Sequence, residues 1–163
     1  MHVAFTLNGA AVEVEAPEDS GMGMTLLQTL RGPLGLSGPR FGCGQEACGS
    51  CMVTLDGEAR PSCAMPVEAA AGRAVGTVEG LGTPEAPHPL QAAFLAEQAG
   101  QCGWCLSGIL VSAAALLRRN PDPDEAAVRA ALEPHLCRCG AQNRIIRAVL
   151  RAARLGSGAE VAA

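Results

Sequence analysis

Along HVAFTLN, residues 2–8, apolar and polar side chains alternate, and the run ends in Asn8-Gly9 before a second alternating stretch, AVEVEA at 11–16. A period of two on both sides of an Asn-Gly pair predicts two antiparallel strands joined by a tight turn. In MTLLQTLRG, residues 24–32, the period changes. Leu26, Leu27 and Leu30 fall at helical spacing and Gly32-Pro33 stops the run, so a short helix is expected to pack on the hairpin. Beyond a glycine-rich, cysteine-bearing loop, CMVTLDGEARPSC at 51–63 predicts another strand pair about Asp56-Gly57, and RAVGTVEGL at 73–81 a last strand. Short strands with one helix across them make an α+β layout.

The pattern changes near residue 80. EGLGTPEAPHP, residues 79–89, is rich in glycine and proline, and both punctuate regular structure, so a linker is expected over 80–89. After it, LQAAFLAEQAG at 90–100, CLSGILVSAAALLRR at 105–119, DEAAVRAAL at 124–132 and AQNRIIRAVLRAARL at 141–155 are rich in alanine and leucine with helical periodicity. Four helices with short connections predict a bundle. The domains are therefore expected at 1–79 and 90–155, with a mobile tail at 156–163 that has too little apolar surface to dock.

Composition narrows the chemistry. The net charge is −4, and the basic side chains are scattered arginines, which excludes the basic footprint of a nucleic-acid binder. No apolar run approaches the roughly 18 residues of a membrane span, and MHVAFTLNGA lacks the layout of a secretory leader, so a cytoplasmic protein is expected. Trp104 and three phenylalanines are the only Phe, Trp or Tyr side chains, which leaves eight cysteines as the dominant chemical feature.

The cysteines form two groups of four. Cys43, Cys48, Cys51 and Cys63 are spaced C-x4-C-x2-C-x11-C, and Cys102, Cys105, Cys137 and Cys139 are spaced C-x2-C-x31-C-x-C. Four thiolates is the ligand count of an iron–sulfur cluster or a structural zinc. The first spacing is the plant-type ferredoxin pattern for a [2Fe–2S] core, and zinc knuckles are usually more symmetric. Gly42, Gly44 and Gly49 suit a loop that aims backbone N–H groups at anionic sulfur from close range. Disulfides would require an oxidising compartment. The second group is expected to place one cysteine pair at each of two helix N-termini, where the peptide dipoles favour negative charge. That position suits zinc as well as iron, and the rarity of C-x-C in zinc knuckles tilts the choice toward iron.

Together, FGCGQEACGSC…C and QCGWC…LCRCG, in that order and with a helical second half, resemble the iron–sulfur subunit of the molybdenum hydroxylases, over roughly residues 2 to 155. The resemblance implies an N-terminal plant-type ferredoxin β-grasp domain followed by an all-α four-helix bundle, each holding one [2Fe–2S] cluster. It implies electron transfer from molybdopterin in a large partner subunit, through the bundle cluster and then the ferredoxin-like cluster, to a cytochrome or a flavin subunit. Gln101 matches a family glutamine that hydrogen-bonds the pterin, and Cys139 is implied to lie nearest it. Where many relatives read LCRCTGY and CGYCTPG, this chain reads LCRCGAQNRI and CGWCLSG. Gly140 with Arg144-Ile145 is more like the isoquinoline oxidoreductase and nicotinate dehydrogenase branch, which implies an aromatic N-heterocycle or an aldehyde as the partner's substrate. The competing readings are a free-standing two-cluster ferredoxin and a zinc-stabilised interaction module.

The other polar residues are expected to have ordinary roles. His2, His88 and His135 are assigned to the surface, Trp104 to shielding the second cluster from water, and Arg138 to offsetting cluster charge, reaching the partner or standing solvated at the surface. Arg118-Arg119 is assigned to a helix end where cations complement the dipole. Met22 and Met24 are assigned to a loop and a helix start.

Overall fold

A computed structural model describes residues 2–16 and 23–156. The expected mobile tail beyond Gly156 and the assignment of Met22 lie outside the described residues. Strands β1 (His2–Leu7) and β2 (Ala10–Glu15) pair antiparallel, as do β3 (Met52–Leu55) and β4 (Glu58–Pro61). Strand β5 (Ala74–Gly76) runs parallel to β1 and antiparallel to β3, which gives the order β2-β1-β5-β3-β4. Both hairpins turn where expected. Asn8 and Gly9 have φ of 49° and 84°, and Asp56 and Gly57 have 50° and 82°, the double positive φ that matches the right-handed twist of the flanking strands.

Helix α1 (Leu26–Arg31) begins at Thr25, whose hydroxyl accepts from the Gln28 N–H while the Gln28 side chain accepts from the Thr25 N–H. Its Leu26 and Leu30 join Val3, Phe5, Leu7, Val14, Val53, Leu55 and Val75 in one core on one face of the sheet. β3 is buried along its whole length because its other face is covered too. There Thr54 meets Val111 and Ala114 of α3 (Leu106–Arg119).

The second half comprises α2 (Pro89–Ala96), α3, α4 (Glu125–Leu132) and α5 (Gln142–Arg154). α5 buries Ile145, Ile146, Ala148, Val149 and Ala152 at helical spacing, while Arg147 and Arg151 face outward and pair with Glu97. α3 is the shared element. Ser107 through Leu117 are all buried, since the helix lies between the sheet and the other three helices. Small residues allow that approach, and a Cβ at Gly108 would overlap the carbonyl oxygen of Gly49, in the loop before β3. No helix among the described residues is long and apolar enough to cross a membrane.

His88 is buried, contrary to its expected surface placement. It caps α2, with its ring Nδ1 accepting from the Leu90 N–H at 3.1 Å and its own N–H donating to the Gln91 side chain at 2.8 Å. His2 is exposed, as expected, beside Glu13.

Gly108→Ala tests the seam between the halves. At an open helical position the change stabilises by about 1 kcal/mol, but here the methyl meets backbone that cannot rotate away, so a net loss of about 1–3 kcal/mol is expected in urea unfolding. An unchanged or raised midpoint would contradict this packing.

Candidate metal centres

The first group of cysteines is assembled by the loop between α1 and β3, closed by Cys63 just after β4. Within it Gly44, Glu46 and Gly49 have φ of 72°, 62° and 73°, and these turns point successive N–H groups inward. The amides of Gln45 and Ala47 lie 3.4 and 3.2 Å from the Cys43 sulfur, that of Cys43 3.4 Å from the Cys48 sulfur, and that of Glu46 3.4 Å from the Cys63 sulfur. The Cys43 thiol interacts with Cys48, and that of Cys63 with Cys51. The Gln45 amide leads the effects that lower the Cys43 thiol to about 7. Burial, reinforced by Cys51, pushes Cys63 up to about 11. Such a cage tolerates negative charge at one sulfur and resists it at another until a cationic core joins them.

The second group joins two loops of the bundle. Cys105 is the N-cap of α3, and Cys102 precedes it across Gly103, whose φ is 76°. Cys137 and Cys139 occupy the turn before α5, whose N-cap is Ala141, so only one of the two expected pairs opens directly into a helix. Cys102 faces Cys139, and Cys105 faces Cys137. Burial, with Cys137 alongside, pushes the Cys105 thiol up to about 12. Cys102 is exposed, and the Trp104 amide leads the effects that hold its thiol below the ordinary range.

In each group the thiols stand in two pairs, Cys43 with Cys48 and Cys51 with Cys63 in the first, Cys102 with Cys139 and Cys105 with Cys137 in the second. Two pairs of thiols, caged by amide donors in the first group and met by the Trp104 amide in the second, fit a core of two irons, each taking two sulfurs. Gln101 is exposed at the edge of the second group and donates from Nε2 to the Cys139 carbonyl at 3.3 Å. Gln142, which sequence reasoning passed over, holds the Cys137 carbonyl in the same way at 3.1 Å.

The two groups are tied to each other. The Leu136 N–H, one residue before Cys137, donates to the Cys48 carbonyl at 3.1 Å. His135 is buried and not at the surface as expected: its Nε2 lies 2.8 Å from the Ser112 hydroxyl, and its ring packs on Gly49. Burial pushes its pKa down to about 4, so the ring is neutral near pH 7. Trp104 is 52 % exposed and therefore covers the second group less than expected. The Arg40 guanidinium lies 5.2 Å from the centre of its ring. Arg138 is exposed.

Comparison with known proteins agrees with this arrangement. Residues 5–77 match the family described as "2Fe-2S iron-sulfur cluster binding domain", and residues 77–150 the family described as "[2Fe-2S] binding domain". The chain is 48% identical over 151 residues to a subunit of nicotinate dehydrogenase from Pseudomonas putida, covering 93% of this chain and 94% of that one. It is 47% identical over 153 residues to the alpha subunit of isoquinoline 1-oxidoreductase from Brevundimonas diminuta, covering 93% and 97%. The chain belongs to the iron–sulfur subunits of the molybdenum hydroxylases.

Solved structures carry the likeness to the backbone of this family. A chain of quinoline 2-oxidoreductase from Pseudomonas putida 86 superposes with a TM-score of 0.84 at 38% identity, covering 96% of this chain and 98% of that one. Aldehyde oxidoreductase from Desulfovibrio gigas gives 0.90 at 35% identity, covering 98% of this chain but 18% of that one. The same unit thus occurs as a chain of its own and as a fraction of a much longer chain.

The His135–Ser112 contact gives a prediction independent of metal. Ser112→Ala leaves both ring nitrogens of a buried imidazole without a partner, because Nδ1 already has none. A loss of about 1–3 kcal/mol is expected in urea unfolding, and a loss below about 0.5 kcal/mol would contradict the burial described.

Proposed function

We propose that this chain is the electron-transfer subunit of a molybdopterin-dependent hydroxylase and carries electrons from a large partner subunit to an external one-electron acceptor, a cytochrome or a flavin subunit. Cys43 and Cys48 with Cys51 and Cys63 would hold one [2Fe–2S] cluster, and Cys102 and Cys139 with Cys105 and Cys137 the other. Bound there, each cluster supplies a site that accepts and releases a single electron. The observation that carries the reading is the pairing of thiols in both halves together with the hydrogen bond from Leu136 to Cys48, which joins the two ligand loops.

The chain's own residues have separable tasks in this scheme. Amides of residues 43 and 45–47 steady the charge on the sulfurs of the first group. Gln101 and Gln142 fix the backbone on either side of Arg138, so the C-x-C turn keeps one shape as charge arrives. Cys139 and the exposed Gln101 form the edge that faces the pterin, which makes the bundle cluster the inner one and the ferredoxin-like cluster the outer one. The substrate is an aromatic N-heterocycle oxidised in the partner, a class supported by the nicotinate, isoquinoline and quinoline named for close relatives.

Two experiments test this reading. Purified from its native source, the protein is expected to co-purify with a large molybdenum-containing polypeptide and to be reduced by an N-heterocyclic substrate. Isolation as a freely diffusing carrier, without any such chain, would favour the free-standing ferredoxin. Cys139→Ser is expected to change the inner cluster's EPR signal and slow its reduction by substrate at least tenfold, with the outer signal unchanged. An unchanged inner signal would remove Cys139 from the ligand set.

A further inference from the structure

Arg40 belongs to the first half by sequence and to the second by contact. Its backbone N–H donates to the Ser50 carbonyl at 3.0 Å, which anchors it beside the loop of the first thiol group. Its side chain leaves that loop, and Nη1 donates to the Gly103 carbonyl at 3.0 Å, midway along the turn between Cys102 and Cys105. The Trp104 ring lies 5.2 Å from the guanidinium carbon. That distance suits a cation on an aromatic face, and the ring removes water from that side of the charge. Among the described residues Arg40 makes no ion pair with a carboxylate, in contrast to Arg60, Arg73, Arg129, Arg147 and Arg151. The half-buried cation is thus held against the Cys102–Cys105 turn by contacts that do not neutralise it.

We propose that Arg40 is a positioning residue that, by fixing a positive charge against the Cys102–Cys105 turn, raises the potential of the inner cluster relative to the outer one. The proposal rests on the two-cluster reading above and deepens it. Each reduction adds one negative charge to a cluster, and a fixed cation nearby favours the reduced form. When one electron is shared between the two clusters, the one that gains it is reduced and the one that loses it is oxidised, with no other bond made or broken. Arg40 biases that division toward the inner cluster, where electrons arrive. Trp104 strengthens the bias by keeping solvent off the guanidinium, a role that its half-exposed position allows although it shields the cluster only in part.

The test is an EPR-monitored redox titration of the full chain with both clusters loaded, as wild type, Arg40→Gln and Arg40→Lys. In Arg40→Gln the ratio of reduced inner to reduced outer cluster is expected to fall about tenfold at half reduction, a change of about 59 mV for a one-electron couple. Arg40→Lys, which keeps the charge, is expected to stay within threefold of wild type. A fall of less than fivefold in Arg40→Gln, or an equal movement of both clusters, overturns the proposal. If Arg40→Gln does not retain both clusters, the neutral and similarly long Arg40→Met is titrated in its place, with the same tenfold fall expected and a fall of less than fivefold overturning the proposal. A wild-type chain without two separate EPR signals would refute the two-cluster reading itself, and the role of Arg40 with it.

Discussion

The structure depends on the close approach of α3 to the loop that carries Cys48 and Cys51. Gly108 lets the helix reach the Gly49 carbonyl, and His135 packs on Gly49 while its ring bonds Ser112 on the next turn of the same helix. With those contacts made, Leu136 reaches the Cys48 carbonyl, and the loop of the second thiol group is fixed relative to the first. Separation between redox groups controls electron transfer, so a seam that sets it must resist deformation. Close-packed backbone is stiff in this sense, because neither a glycine nor a carbonyl has a side chain that can rotate out of the way.

A second constraint comes from charge. Four thiols in a small volume, most of them buried or half-buried, are costly to ionise, and burial pushes Cys63 and Cys105 well above the ordinary range. The chain meets this in two ways. In the first group, glycine turns and the positive φ of Glu46 supply amide donors. In the second, the start of α3 and a cation from the other half lie against the Cys102 side. The first half therefore contributes to the electrostatics of the second as well as to its packing.

Much of this was legible in the sequence wherever the cause is local. Asn8-Gly9 and Asp56-Gly57 form turns because their own φ angles allow it, and Leu26, Leu27 and Leu30 mark a helix by spacing alone. The sorting of the cysteines into two groups follows from counting, and each group assembles within its own half. Features that depend on distant partners were not legible. Gly108 looks like a weak point in α3 until Gly49 lies against it. His135 reads as a surface residue at a helix entry because nothing nearby signals Ser112, and Trp104 reads as a shield because Arg40 is far away in the chain. For His88 a local signal was present: proline at the next position is common at the first turn of a helix, and it marked the histidine as a cap.

Everything above turns on each half holding a two-iron core on paired thiols. Metal and acid-labile sulfide analysis of the purified chain, combined with spin quantitation of its EPR spectrum after full reduction, probes this without any partner. Four irons and four sulfides per chain are expected, on the order of two of each per cluster, with two distinct rhombic signals of about one spin each. Zinc in place of iron, or iron and sulfide sufficient for one cluster and a single signal from an intact chain, would contradict it.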